Sequence, residues 1–223
     1  MIQHKIKPMT KLNADIQKAT DHLANIDADW AGLITHVGVC SFEPKLEREP
    51  YEALIRAVAY QQLHAKAGDA ILNKFILLFN PLETSQTNLS KFPSPAQVLA
   101  ADLADLRACG FSGRKIETLK GIAEGALSGL VPSHEKASAM ADEDLIQQLI
   151  TLKGIGRWTV EMLLMFNLAR LDILPADDFG IVEGYRRLKK LDAAPKRKEI
   201  AEIGNAWSPY RTIASWYLWR VPK

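Results

Sequence analysis

Apolar residues recur along this chain at helical spacing. Tyr51, Leu54, Ile55, Val58 and Ala59 follow the i, i+3, i+4, i+7, i+8 register, and Pro50 sits where a first helical residue is tolerated. Ile71, Leu72, Phe75, Leu78 and Phe79 repeat that stripe, with a stop predicted at Pro81. Ser94-Pro95 predicts a cap and first turn for a helix carrying Val98, Leu99, Leu103 and Leu106, closing near Gly110. Ile116, Leu119, Ile122, Ala123 and Ala126 form the next stripe. The acidic run Asp142-Glu143-Asp144 suits the positive end of a helix through Leu145, Ile146 and Leu149. Another helix carries Met162, Leu163, Phe166 and Ala169, and one more follows PADDFG. The stretch around Trp207–Arg220 predicts two short helices divided at Pro209. Residues 13–24 and 27–36 are weakly amphipathic, and 37–49 and 80–94 read as connections rich in Pro, Ser, Thr, Asn and charge. No clear period-2 strand pattern emerges. The fold class is all-α, with about ten helices on this reading.

Composition narrows the class further. A chain of 223 residues fits one large domain or two small lobes. With 48% hydrophobic and 24% charged residues it is globular rather than disordered. A net charge of +2 announces no polyanionic partner, so a nucleic-acid reading must rest on local features. Cys40 and Cys109 are far apart and cannot make a four-ligand zinc or iron–sulfur site, and a reducing compartment suits them. The start MIQHKIKPMTK has no apolar h-region, and the apolar runs are too short for a membrane span, so a cytoplasmic protein is expected. His4, His22, His36 and His134 show no metal-ligand spacing. The basic run Arg186, Arg187, Lys189, Lys190, Lys196, Arg197, Lys198 reads as a solvated face. Arg114 and Lys115 open a helix after FSG and are candidates for a phosphate contact.

Two short stretches carry candidate chemistry. In LKGIGRWTVEM, residues 152–162, one helix ends and another begins at about Arg157, with Gly154 and Gly156 taking the tight turn. N–H groups at such a helix start favour an anion, and a phosphate held there involves no base contact. The alternative is a plain helix connection punctuated by glycine. In LPADDFG, residues 174–180, Asp177 and Asp178 precede a helix that needs only one of them as a cap.

The order of these motifs resembles the helix-hairpin-helix DNA glycosylase superfamily, and within it the DNA-3-methyladenine glycosylase II branch, which repairs alkylated bases. YEALIRAVAYQQLHAKAG and WSPYRTIASWYLWR resemble that branch too, so the likeness runs from about Pro50 to Arg220. The chain looks like the compact, all-helical type: it is too short for an added β domain and lacks the cysteine cluster of the endonuclease-III-like branch. The resemblance implies two helical lobes with the hairpin at a DNA-binding cleft. The first, of about 45–171, is a helical barrel ending in the hairpin; the second joins 1–44 to 172–223. It assigns the catalytic carboxylate to Asp178 and leaves Asp177 as the cap or a support. It places DNA contacts at Gly154, Gly156, Arg157 and Thr159, and a gap-filling plug in Gln61-Gln62-Leu63-His64, with His64 favoured and Gln61 and Gln62 as candidates. Trp158 matches a pocket aromatic and Trp219 another, while Tyr60 and Phe179 are candidate walls by position. Carbonyls of Leu152 and Ile155 would hold a structural Na+ or K+, with no cofactor required. Bifunctional relatives carry a lysine where this chain has Trp158, and an indole cannot form a Schiff base.

These features predict a monofunctional glycosylase that hydrolyses the N-glycosidic bond of alkylated purines such as 3-methyladenine and 7-methylguanine. A monomer acting on double-stranded DNA is expected. A flipped cationic base needs an aromatic wall, and the sugar needs a carboxylate. Two other readings share the motifs: a same-fold glycosylase for ethenoadenine or hypoxanthine, and a non-catalytic DNA-damage binding protein.

Overall fold

The computed structural model describes residues 3–80 and 91–223; the predicted stop at Pro81 and most of the 80–94 connection lie outside them. The chain opens with α1 (Gln3–Ala24), α2 (Ala28–Val37), α3 (Pro50–Tyr60) and α4 (Ala65–Phe79). Next come α5 (Pro95–Ala100), α6 (Leu103–Ala108), α7 (Gly113–Ser128), α8 (His134–Ala139) and α9 (Asp142–Leu149). It closes with α10 (Arg157–Phe166), α11 (Phe179–Leu188), α12 (Arg197–Ile203), a 3-10 turn at Gly204–Trp207 and α13 (Arg211–Leu218). Among the described residues there is no strand.

The stripes read for α3 and α7 are buried faces, whereas Leu103 is 48% exposed and α10 buries Val160, Leu163, Leu164 and Met165 rather than Met162 and Phe166. Leu54, Ile55, Val58 and Ala59 of α3 are fully buried, as are Leu119, Ile122 and Ala123 of α7. Each large side chain buried in this way contributes about 1.5–3 kcal/mol. The expected single helix over 95–108 is two helices, α5 and α6, because Ala101 and Asp102 take extended backbone angles (ψ 139 and 143). Two helices were not expected. In α8, Ser133 caps by accepting from Lys136 N–H, and α12 lies within the basic run, with Glu199 accepting from Lys196 N–H.

The chain divides into two compact units. One is Lys45–Leu168; the other joins the described part of Met1–Pro44 to Ala169–Lys223. In the first, α7 is the central helix, with α3 and α5 packed on it, and α10 lies between α3 and α9. Phe75 anchors this core through edge contacts with Phe79 and Phe111, at centroid distances of 5.4 and 5.5 Å.

In the second unit, α11 and α13 pack backbone to side. A Cβ at Gly184 would overlap the Leu218 carbonyl, so glycine permits this approach. Trp30 meets Trp207 edge-on at 5.5 Å, joining the N-terminal helices to the C-terminal ones. Lys189 donates to Asp27 (2.6 Å) and Asp29 (2.8 Å), which ties the end of α11 to the start of α2. That pairing occupies one member of the basic run, and Arg186 pairs with Glu183 at 2.7 Å within the same unit.

Candidate active-site elements

The hairpin is built on α9 and α10. Arg157 joins them: its guanidinium donates to both carboxylate oxygens of Glu143 (3.0 and 2.8 Å) and to Glu161 (2.9 Å). Arg157 holds the Glu143 carboxyl down at about 2, with help from Gln147. The Arg157 side chain thereby clasps α9 to α10, while its backbone N–H stands at the start of α10.

The two glycines differ. Gly154 has φ +87, and a Cβ there would overlap Thr118 of α7, so both conformation and space demand glycine. Gly156 has φ −98 and ψ 166, an extended conformation open to any residue, and a Cβ there would meet open space. The tight turn thus belongs to Gly154 alone, and Gly156 leaves clear room in front of α10. The first bonds onto the Gly156 carbonyl come from Thr159 (3.0 Å) and Val160 (3.3 Å), which puts the Arg157 and Trp158 N–H groups at the open helix start. Thr159 is buried and its N–H donates to the Gly156 carbonyl. Leu152 and Ile155 bury their side chains, and the Leu152 carbonyl accepts from Ile155 N–H at 3.0 Å, which leaves it one lone pair.

Beside the hairpin lies a cavity of about 440 Å³ lined by Ala57, Tyr60, Gln61, Gln62, Trp158 and Met162. Four of the sequence-selected residues meet here: Tyr60, Gln61, Gln62 and Trp158. Trp158 is 46% exposed, a large aromatic that the core does not claim. Tyr60 lies against Gly68, where a Cβ would overlap the ring, and its hydroxyl donates to Asp69. This bond raises the Tyr60 pKa and fixes the ring. Met162, a stripe residue in the sequence pattern, also lines the cavity. Gly68 did carry a signal, since a glycine inside a helix marks a close approach.

The Gln61–His64 loop joins α3 to α4. Gln61 Nε2 donates to the Gly154 carbonyl at 3.2 Å, linking loop and hairpin directly. Gln62 adopts φ +59, an uncommon conformation for a side-chain-bearing residue, and Leu63 after it is 40% exposed. His64 is exposed and caps α4, its Nδ1 accepting from Ala67 N–H at 3.4 Å. The exposed Leu63 is a further gap-filling candidate that the polar pattern of this loop hid.

In the other unit, Asp178 caps α11. Its Oδ1 accepts from Ile181 N–H (2.9 Å) and from the Trp219 indole N–H (2.8 Å). Of the two roles expected for Asp177, cap or support, the cap falls to Asp178; Asp177 is exposed and pairs with Arg197 at 3.0 Å. Gly180 makes the arrangement possible, because a Cβ there would lie 2.7 Å from Trp219 Cδ1 and 3.1 Å from Asp178 Oδ1. Trp219 therefore orients the carboxylate, while Phe179 is 81% exposed beside it. Among the described residues, no cluster of three or more His, Cys, Asp or Glu is placed to hold a metal, and no helix is long and apolar enough to cross a membrane.

A glycine hairpin between two helices, an aromatic cavity beside it and an aspartate at the head of a later helix together define a helix-hairpin-helix DNA repair protein. The chain belongs to the HhH-GPD superfamily of base excision DNA repair proteins, whose pattern matches residues 55–209. It is 44% identical over 219 residues to DNA-3-methyladenine glycosylase 1 of Schizosaccharomyces pombe, covering 98% of this chain and 92% of that protein. The S. pombe 3-methyladenine DNA glycosylase (Mag1) in complex with abasic DNA has a TM-score of 0.79 at 46% identity, covering 91% of this chain and 95% of that one. DNA-3-methyladenine glycosidase of Bacillus halodurans has a TM-score of 0.77 at 29% identity, covering 91% and 88%.

Proposed function

We propose that this protein is a monofunctional DNA glycosylase that removes alkylated purines, 3-methyladenine and 7-methylguanine among them, from double-stranded DNA. The observation that carries the reading is the Asp178 carboxylate, held at a helix N-terminus by Ile181 N–H and the Trp219 indole. Alkylation at N3 or N7 gives the purine a positive charge, so the base already leaves readily. The C1′–N bond breaks with its electron pair going to the base, which departs neutral. Asp178 stabilises the positive charge that develops on the sugar, water adds at C1′, and the water's proton is given up to the carboxylate or to solvent.

Trp158 and Tyr60 supply aromatic faces that attract a cationic base. The Arg157 and Trp158 N–H groups at the start of α10 are suited to a phosphate, which gives sequence-independent binding. If a monovalent cation is held at the hairpin, the Leu152 and Ile155 carbonyls are its ligands and it helps neutralise that phosphate. The protein acts as a monomer wherever the cell keeps its DNA.

Single-turnover assays on duplexes that each carry one defined lesion test this reading. Release of methylated purines, with little release of hypoxanthine or ethenoadenine, is expected. Binding without release of any base would overturn it.

A further inference from the structure

Lys115 takes no part in the chemistry above, yet it bears on both turns that border the aromatic cavity. It lies in the first turn of α7, and its Nζ donates to the Ala59 carbonyl (3.1 Å) and the Gln61 carbonyl (3.0 Å). Those two acceptors end α3, where carbonyls have no helical partner. Gln61 passes the connection on through its side chain to the Gly154 carbonyl. One turn further along α7, Thr118 fills the space that a Cβ at Gly154 would need. The first two turns of α7 thus seat the loop and the hairpin on one rigid helix.

The choice of lysine is informative. Burial lowers the Lys115 pKa, and among the described residues no carboxylate pairs with it. A partly buried cation without a counterion costs more than a neutral donor would, but it binds carbonyls about twice as strongly. The loop it holds contains Gln62 at φ +59, a conformation that persists only where the surroundings enforce it. Lys120, on the same helix, bonds the Leu99 and Ala101 carbonyls at 3.4 and 3.3 Å, and neither acceptor lines the cavity. It provides an internal control: a lysine that ties down a helix end with no link to the candidate site.

We propose that Lys115 is a positioning residue for base extrusion, fixing the Gln61–His64 loop and the Gly154 turn in one geometry before DNA arrives. Extruding a base requires unstacking it, and a loop that must first be ordered adds that cost to the step. A lesion that is already unpaired escapes most of it.

The inference rests on the proposed glycosylase reading, and its test compares two substrates. One is a duplex with 7-methylguanine paired to cytosine; the other has the same lesion opposite an abasic residue. K115M is expected to slow single-turnover excision from the paired duplex by about tenfold or more relative to the unpaired one. K115R should recover most of that ratio, because its guanidinium still donates to carbonyls. K120M should lower Tm and leave the ratio unchanged. If K115M does not fold, K115Q, which keeps a neutral amide donor on a shorter arm, takes its place. Equal loss on both duplexes, or an unchanged ratio, would overturn the proposal. Failure of the wild type on both duplexes would instead overturn the glycosylase reading. In that case, fluorescence of 2-aminopurine beside the lesion still reports extrusion: a smaller increase with K115M than with wild type supports the positioning role, and an equal one refutes it.

Discussion

Asp178 does two things with one oxygen: it caps α11 through Ile181 N–H and is aligned by the Trp219 indole. Asp178→Asn separates the two roles. Asn caps a helix about as well as Asp, so Tm and DNA affinity should hold, but an amide cannot stabilise positive charge on the sugar. Excision of 3-methyladenine in single turnover should fall on the order of 100-fold or more. Asp177→Asn removes an exposed pair with Arg197, and such pairs contribute at most about 1 kcal/mol. Its excision rate should stay close to wild type. Full activity in Asp178→Asn would remove the catalytic assignment.

At the scale of elements, the hairpin separates conformation from access. Gly154→Ala has to adopt φ +87 and displace Thr118, so a loss of about 1–3 kcal/mol is expected in denaturant unfolding. Gly156→Ala meets neither obstacle, and its stability should stay within about 0.5 kcal/mol of wild type. Its methyl group nevertheless stands beside the N–H groups proposed for phosphate, so affinity for undamaged duplex should drop. Weaker DNA binding in a stable Gly156→Ala protein, measured by anisotropy, is the combination to look for. Unchanged affinity would move the phosphate contact away from the start of α10.

For the whole molecule, the net charge of +2 gives little long-range attraction to DNA. Affinity then depends on a few local phosphate contacts. Log K for undamaged duplex should fall linearly with log salt, with a shallow slope of about 0.9 per phosphate contact, and sequence should matter little. A strong sequence preference at fixed salt would contradict backbone-only binding. The product of reaction should be an intact abasic strand. Trp158 has no amine, and Lys153 is paired with Glu117 at 2.7 Å. Borohydride added during turnover should trap no protein–DNA adduct, and strand breaks should appear only after alkali or heat. A robust adduct would place an amine in the site and make the enzyme bifunctional.

Periodicity along the chain determined the helices with continuous apolar stripes, α3, α4, α7, α9 and α10, because a buried face must recur every three or four residues wherever it packs. Motif order likewise singled out Gly154, Trp158 and Asp178, whose residue types follow from local geometry and chemistry. Short helices such as α8 and α12 escaped, since six or seven residues carry too little periodicity to stand out. Tertiary structure alone decided the contacts between residues distant in sequence. That the Asp178 carboxylate is also held by an indole depends on Trp219, 41 residues away. That Arg157 clasps Glu143 depends on α9 lying beside α10. The tie from Lys115 to Gln61 spans 54 residues. Hydrogen-bond partners are chosen by proximity in space, which a one-dimensional pattern does not encode, and for that reason the sequence named the chemical groups while only the fold assigned their partners.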